Sequence, residues 1–412
     1  MERKYEHLSM EDRSLIQVQL ALGFRPATIA AALERARSTV VREMRRNGWK
    51  SGGGKPGAGC PYGSGYYAGA ALCVVAWAWK AFRLGAKIVV LLLLLVTIGG
   101  ACLTHVNIFE MMFKPYPSPV FEASSAAKVD ADDKVLAVTI NGESHAYPVR
   151  TMGYHHIVND VVAGQPVAAT YCTLCHTGLI WSRVLNGRTL TFRLGGINNG
   201  NAVLQDEQTN SIWQQSTGEA IFGALKGQHL KRVHSDELTF AQWRVEQPNG
   251  LVLKPEARYE KQYDPKDWEA HVERTPTVVD TSRSGIGPHT LMLGLTINGS
   301  SKAYPVKSIL SAGLIGDRTG GQSLVVVVGP DQASIRVFKS QLPGESDPLT
   351  FVRSASAGEA VMTDAESGSA WNFKGCAVTG KYAGRCLEPI DAQKDYWFDW
   401  VHHNPSTIVF RG

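Results

Sequence analysis

No acidic residue occurs between Ser51 and Lys87, and no charged residue of either sign between Ile88 and Leu103. The first gap excludes a charge-balanced linker, and the second excludes an amphipathic helix with one wet face. Charge is sparse overall: Asp, Glu, Lys and Arg make up 19% of the chain against 44% hydrophobic residues, with 41 Gly and 19 Pro. That mixture excludes a coiled coil, a collagen-like fibre and a wholly disordered chain. At 412 residues the chain is also too long for one small module and has room for two or three domains.

What charge there is lies unevenly. Residues 1–50 hold ten Lys/Arg against six Asp/Glu, residues 51–87 hold four Lys/Arg and no acid, and the remainder holds 28 against 31. The net charge of +5 therefore conceals a basic head on a slightly acidic body, which points to nucleic acid or membrane contact at one end. The uncharged run Ile88–Leu103 continues weakly apolar through Val106 and Ile108 to Phe109. About 20 residues cross a bilayer core, so the pattern predicts a transmembrane helix over 88–109, with a buried core helix as the alternative. Lys80, Arg83 and Lys87 precede it, and Lys114 is the only basic residue soon after. The positive-inside rule then puts the N-terminus in the cytoplasm and the C-terminal body outside, with Trp77, Trp79 and Phe82 as an interfacial anchor. Because more than eighty residues precede the run, it reads as an uncleaved signal anchor.

In the head, Ser9 and Asp12 form a capping-box pattern ahead of Leu15, Ile16, Val18, Leu20 and Leu22. Pro26 suits the start of a second helix, and Arg37 to Arg46 suits a third, basic one. Three short helices of this kind make a helix-turn-helix. In it Ser38, Thr39 and Arg42 would meet base edges, and Arg37, Arg45 and Arg46 would meet phosphates. The wording HLSMEDR…IAAALERARSTVVREMRRNG resembles the N-terminal helix-turn-helix of insertion-sequence-30-type transposases, over about the first 50 residues. Those enzymes carry a catalytic carboxylate triad in a downstream nuclease domain. Here the chain passes instead into Gly-rich sequence at Ser51–Gly54 and Tyr62–Gly65, so an active transposase is disfavoured.

The body repeats. LAVTINGESHAYPV (136–149) recurs as LGLTINGSSKAYPV (293–306), and the same offset of 157 maps Gly164-Gln165 onto Gly321-Gln322, Trp243 onto Trp400 and Pro248 onto Pro405. Asp206 and Trp213 reach Asp364 and Trp371 with one residue of slippage. β-branched runs such as Val167–Tyr171 and Leu324–Val328 read as strands, and Asn141-Gly142 and Asn298-Gly299 as hairpin turns. Short helices are expected around 149–158 and 239–246. The fold class expected is thus multidomain: a helix-turn-helix (1–50), a Gly-rich basic linker (51–87), a transmembrane helix (88–109), and two tandem homologous β-rich α+β domains. The first domain is 131–254, and the second, degenerate one is 288–412 after a linker, 255–287.

The repeat serves as an internal control for chemistry. The first copy carries TYCTLCHTG (170–178) after Tyr154-His155-His156. At the offset, Cys172, Cys175 and His176 become Gly329, Gln332 and Ala333, and His155 and His156 become Ala312 and Gly313. A cluster that one copy dispenses with is more readily a site than packing. Cys172 and Cys175 with His155, His156 or His176 would ligate copper or zinc; the same pair could exchange as a redox dithiol; Cys-x-x-Cys-His also fits c-type haem attachment, though no companion Met stands out. A structural disulfide is the remaining reading. Cys376 and Cys386, which replace Glu219 and His229, read as an added structural disulfide.

INGESHAYPVR, HHIVNDVVAGQPVAATYCTLCHTG and SIWQQSTGEAIFGALKG resemble the bacterial and archaeal domain of unknown function 3179, strongly over 131–254 and more weakly in the second copy. The resemblance implies no activity. It supports Cys172 and Cys175 as the motif cysteines and leaves His176 aside. The expected protein is one anchored in the bacterial inner membrane, with a periplasmic or extracellular body that binds metal or exchanges thiols and takes an unspecified ligand. The alternative is a one-component regulator that binds DNA through residues 1–50. No catalytic residues are assigned.

Overall fold

The computed structural model describes residues 30, 40–41, 83–103, 113–116, 118–277, 279, 281, 284–354 and 359–411. The chain divides into two compact units, Met1–Val106 and Asn107–Gly412. In the first unit, α1 spans Leu84–Leu103. This corrects the expected transmembrane helix. α1 takes Lys87 into its first turn, so its described extent has an uncharged helical stretch of 88–103, and the expected continuation to Phe109 lies outside the described residues. At 1.5 Å per residue that stretch is about 24 Å long, against a hydrocarbon core of about 30 Å. Among the described residues no helix is long and apolar enough to cross a membrane. The expected fold class with a membrane span, the single-pass inner-membrane location and the inside–outside orientation are all overturned with it.

The second unit is β-rich. Its first half runs β1 (Phe121–Ala123), β2 (Lys134–Ile140), β3 (Glu143–Pro148), α2 (Val149–His155), β4 (Ile157–Val162), β5 (Gln165–Cys172) and β6 (Thr177–Ser182). A small hairpin of β7 (Val184–Leu185) and β8 (Arg188–Thr189) follows, then β9 (Phe192–Asn198), β10 (Asn201–Asp206), β11 (Ile212–Gln214) and β12 (Ala220–Phe222). β13 (Arg232–Val233), β14 (Asp236–Thr239), α3 (Phe240–Glu246) and β15 (Leu251–Leu253) complete it. A 3₁₀ turn (Ala257–Gln262) and α4 (Trp268–Val272) bridge to the second half. That half has β16 (Leu291–Ile297), β17 (Ser300–Pro305), α5 (Val306–Ala312), β18 (Leu314–Thr319), β19 (Gln322–Val328) and β20 (Ile335–Lys339). It ends with β21 (Phe351–Arg353), β22 (Ala360–Asp364), β23 (Ala370–Asn372), β24 (Ala392–Tyr396), α6 (Trp397–His403) and β25 (Ile408–Val409).

The two halves repeat one topology. The sheet β15-β3-β2-β14 answers to β25-β17-β16-β24, and β6-β5-β4 answers to β20-β19-β18. The hairpins β2–β3 and β16–β17 turn through Asn141-Gly142 (φ 48° and 87°) and Asn298-Gly299 (φ 49° and 76°), the left-handed pair such two-residue turns require. Trp213 Nε1 donates to buried Asp206 at 2.9 Å, and Trp371 Nε1 donates to buried Asp364 at 2.9 Å. Each pair closes the turn between two strands in the same way, which is why both residues survive at matching places.

The halves do not fold as separate beads. One apolar core joins Val135, Ala137, Leu238 and Trp243 of the first half to Val325, Phe338, Met362 and Trp371 of the second. Another joins Cys172, Cys175, Leu179 and Trp213 to Tyr396 and Phe398. Residues at equivalent positions of the two halves meet each other. Lys394 Nζ donates to Glu237 Oε1 at 3.1 Å, and His234 Nδ1 lies 2.7 Å from Asp391 Oδ1; each pair is 157 residues apart, the repeat offset. A residue on a true two-fold would meet itself and repel. Here the copies have diverged to opposite charges.

Candidate functional site

β5 and β6 are paired to their ends, Cys172 opposite Thr177, so Thr173–His176 is forced into a tight turn. His176 closes it at φ 60°. Cys172 and Cys175 point inward, are 2% and 0% exposed, and are free thiols. The turn is packed against the other half. Tyr396 N donates to Cys175 O at 2.8 Å, and Thr177 Oγ1 donates to Asp395 Oδ1 at 2.8 Å.

This docking completes the site. Cys175 Sγ and carboxylate oxygens of Asp395 and Asp399 all lie within 4.8 Å of one another, and all three residues are buried. Asp395 stands on β24 and Asp399 on the first turn of α6, four residues on. Asn201 Nδ2, at the start of β10, lies 3.1 Å from Cys175 Sγ and 2.9 Å from Asp399 Oδ2. Asp399 Oδ1 and His403 Nε2 lie 3.5 Å apart, within ion-pair reach, and neither atom makes a hydrogen bond. Burial pushes the Cys175 thiol well up, and the neighbouring Cys172, Asp399 and Asp395 add to it. Burial likewise pushes Asp395 well above the carboxylate range, with Asp399 beside it. Burial thus disfavours the charged forms of Cys175 and Asp395.

The histidines are placed elsewhere. His155 Nδ1 is 2.7 Å from Lys114 O, and its Nε2 is 3.2 Å from Tyr263 OH. His156 Nδ1 bonds Tyr171 O at 3.0 Å, and burial pulls the ring down to about 4. His176 Nε2 lies 2.6 Å from Glu269 Oε1, and its Nδ1 lies 3.2 Å from Tyr171 OH. Burial alone would raise Glu269, but its contacts with His176 and Lys134 outweigh that and bring it to about 2. Of the five residues singled out as metal ligands, only Cys175 belongs to the converging acid group, with Cys172 adjoining it. Cys376 and Cys386 form a disulfide at the bridge where the first half pairs Glu219 with His229. Arg37, Ser38, Thr39, Arg42, Arg45 and Arg46 lie outside the described residues.

Residues 116–407 match the family model described as Protein of unknown function (DUF3179), and residues 4–47 match one described as Helix-turn-helix domain. The chain belongs to the DUF3179 family. Its match runs through both halves, so the second copy is part of the DUF3179 unit as much as 131–254. No curated protein and no solved structure matches the chain.

The DUF3179 body thus builds one site from two unequal copies. The cysteines of the first half face Asp395 and Asp399, whose first-half counterparts are Leu238 and Gln242. At the mirror position, Asp331 is closed off by Thr239 Oγ1 at 2.7 Å and Ser334. A cavity of about 210 Å³ lies between Leu136, Glu237, Leu293 and Lys394, but neither cysteine lines it. The charges around the cavity, including Arg336 held by Asp236 and Glu246, pair with one another.

Proposed function

We propose that the DUF3179 body is a metal-binding protein that takes a divalent ion of the zinc class through Cys175, Asp395 and Asp399, with Cys172 as the fourth ligand. The observation that carries this reading is the convergence of three buried groups able to ligate a metal, one of them with a carboxylate oxygen that accepts no hydrogen bond. Metal would displace the protons that burial favours on Cys175 and Asp395. Two thiolates with two carboxylates suit borderline zinc better than copper(I), which favours sulfur alone. A dithiol exchanger needs an accessible, depressed thiol, and Cys175 is neither. Haem attachment is disfavoured because both cysteines are buried and His176 is engaged by Glu269. Equilibrium dialysis of the full chain against zinc should give one ion per chain, and Cys175→Ser should lower that occupancy at least tenfold at matched free zinc. Equal uptake by both proteins would remove the assignment.

We further infer, from the helix-turn-helix match at 4–47, that the head contacts DNA through Arg37, Ser38, Thr39, Arg42, Arg45 and Arg46. Binding of the full chain to duplex DNA should weaken steeply with salt and weaken further in Arg42→Ala. Failure to retain any duplex at low salt would refute it.

A further inference from the structure

A fully buried metal site raises the question of entry. Cys172, Cys175, Asp395 and Asp399 are at most 2% exposed, so something must move before an ion or reagent arrives. The strands around them are tied by ladders, β5 to β4 and β6, and β24 to β16. One neighbouring segment is not. Residues 257–272 belong to no sheet and are held by a few contacts, most of them through side chains.

Lys266 pairs with Asp130 and Asp132 ahead of β2, and other contacts reach α2 and the cysteine turn. Tyr263 OH meets His155 Nε2, and Arg150 Nε donates to Asp264 O at 2.8 Å. Asp264 and Thr173 both crowd Gly153, where an added Cβ would lie 1.7 Å from Asp264 Oδ2, so only glycine lets the segment lie this close. Trp268 is 5% exposed and its ring centre lies 5.1 Å from that of His176. Glu269 takes His176 and Lys134 together. Val272 packs on the core cluster that contains both cysteines. The second half, which lacks the cysteines, has Ala312 and Ala333 where His155 and His176 stand. The segment also has a weak point: Asp264 Oδ2 is buried without a partner, and burial raises that carboxyl to about 6.

We propose that residues 257–272 form a strap that gates access to the Cys172–Cys175 site, with His155 and His176 acting as its latches rather than as ligands. The inference rests on the reading of these thiols as the site. Local opening of such a strap costs less than global unfolding, and the latch sets its frequency.

The test is peptide-resolved labelling of the native full chain with N-ethylmaleimide, in which the thiol sulfur adds to the ring alkene and its proton passes to the adjacent carbon. Glu269→Gln should speed labelling of Cys172 and Cys175 about tenfold or more, the factor expected from losing a charge-assisted hydrogen bond. Trp268→Ala should do the same. In zinc-loaded protein, Glu269→Gln should hasten release to a chelator by a similar factor while leaving zinc affinity unchanged. Labelling that stays constant, or rises only as far as each variant's loss of global stability in urea accounts for, overturns the gate. Wild type that takes up no zinc yet shows faster labelling in Glu269→Gln overturns the metal reading and leaves the gate standing. Zinc uptake with labelling indifferent to both variants does the reverse.

Discussion

Lys394→Glu is expected to destabilise the DUF3179 body by about 3–5 kcal/mol, the usual cost of breaking a buried ion pair from one side. Lys394 and Glu237 are 8% and 9% exposed and sit at equivalent positions of the two halves, so the substitution recreates the self-facing acids that a true two-fold would impose. Burial alone would raise Glu237, but Lys394 first, then His176 and Lys134, hold it below its ordinary range. Removing the lysine therefore leaves a carboxylate facing an acid in a largely buried interface. In thermal unfolding the loss should appear as a fall of about 10 °C. The double variant Glu237→Lys with Lys394→Glu should recover at least half of it. Full recovery is not expected, because Tyr171 OH donates to Glu237 at 3.2 Å and would face an ammonium after the swap. A fall under about 2 °C, or a double variant no better than the sum of the singles, would show that the pair does not hold the halves together.

The second large effect is the pH dependence of stabilisation by zinc. Asp395 and Cys175 are both acids whose folded pKa values are raised, by burial first and then by their neighbours. Such a group favours the folded state only while it keeps its proton. The metal-free body therefore loses stability as pH rises above Asp395's ordinary value of 3.8, and again above the ordinary 9.0 of Cys175. Zinc reverses the sign, since it replaces those protons and binds more tightly as they become easier to remove. At a free concentration of about 100 times Kd the gain is about 2.7 kcal/mol, or several degrees. At a fixed zinc concentration the shift should be large at pH 8 and fall toward zero at pH 5.5. Asp399→Asn should flatten it at both. A zinc shift independent of pH would mean that no buried proton is displaced.

Much of this architecture was legible in the chain. The Asn-Gly turns, the 157-residue offset and the Asp206/Trp213 and Asp364/Trp371 pairs reflect local rules that hold in both copies, and each reappears as a structural element. The site was only half legible, because comparing the copies in one direction exposes Cys172 and Cys175 but not their partners. Read in the other direction, Asp395 and Asp399 replace Leu238 and Gln242 in the aromatic stretch DYWFDW, and that was the available signal. The histidines misled because nearness in sequence to a Cys-x-x-Cys turn says nothing of which way a ring points. His155 and His176 turn toward the strap. The apolar run at 88–103 is too short by itself to cross a bilayer, and its reach to Phe109 rests on residues outside those described.

In the proposed site one metal is held by sulfur from the first half and carboxylate from the second. Zinc-edge X-ray absorption of the loaded full chain tests it most directly. The expected first shell is two sulfurs near 2.3 Å and two oxygens near 2.0–2.2 Å, with the oxygen contribution reduced in Asp399→Asn. A shell containing imidazole, or one unchanged by Asp399→Asn, would contradict it.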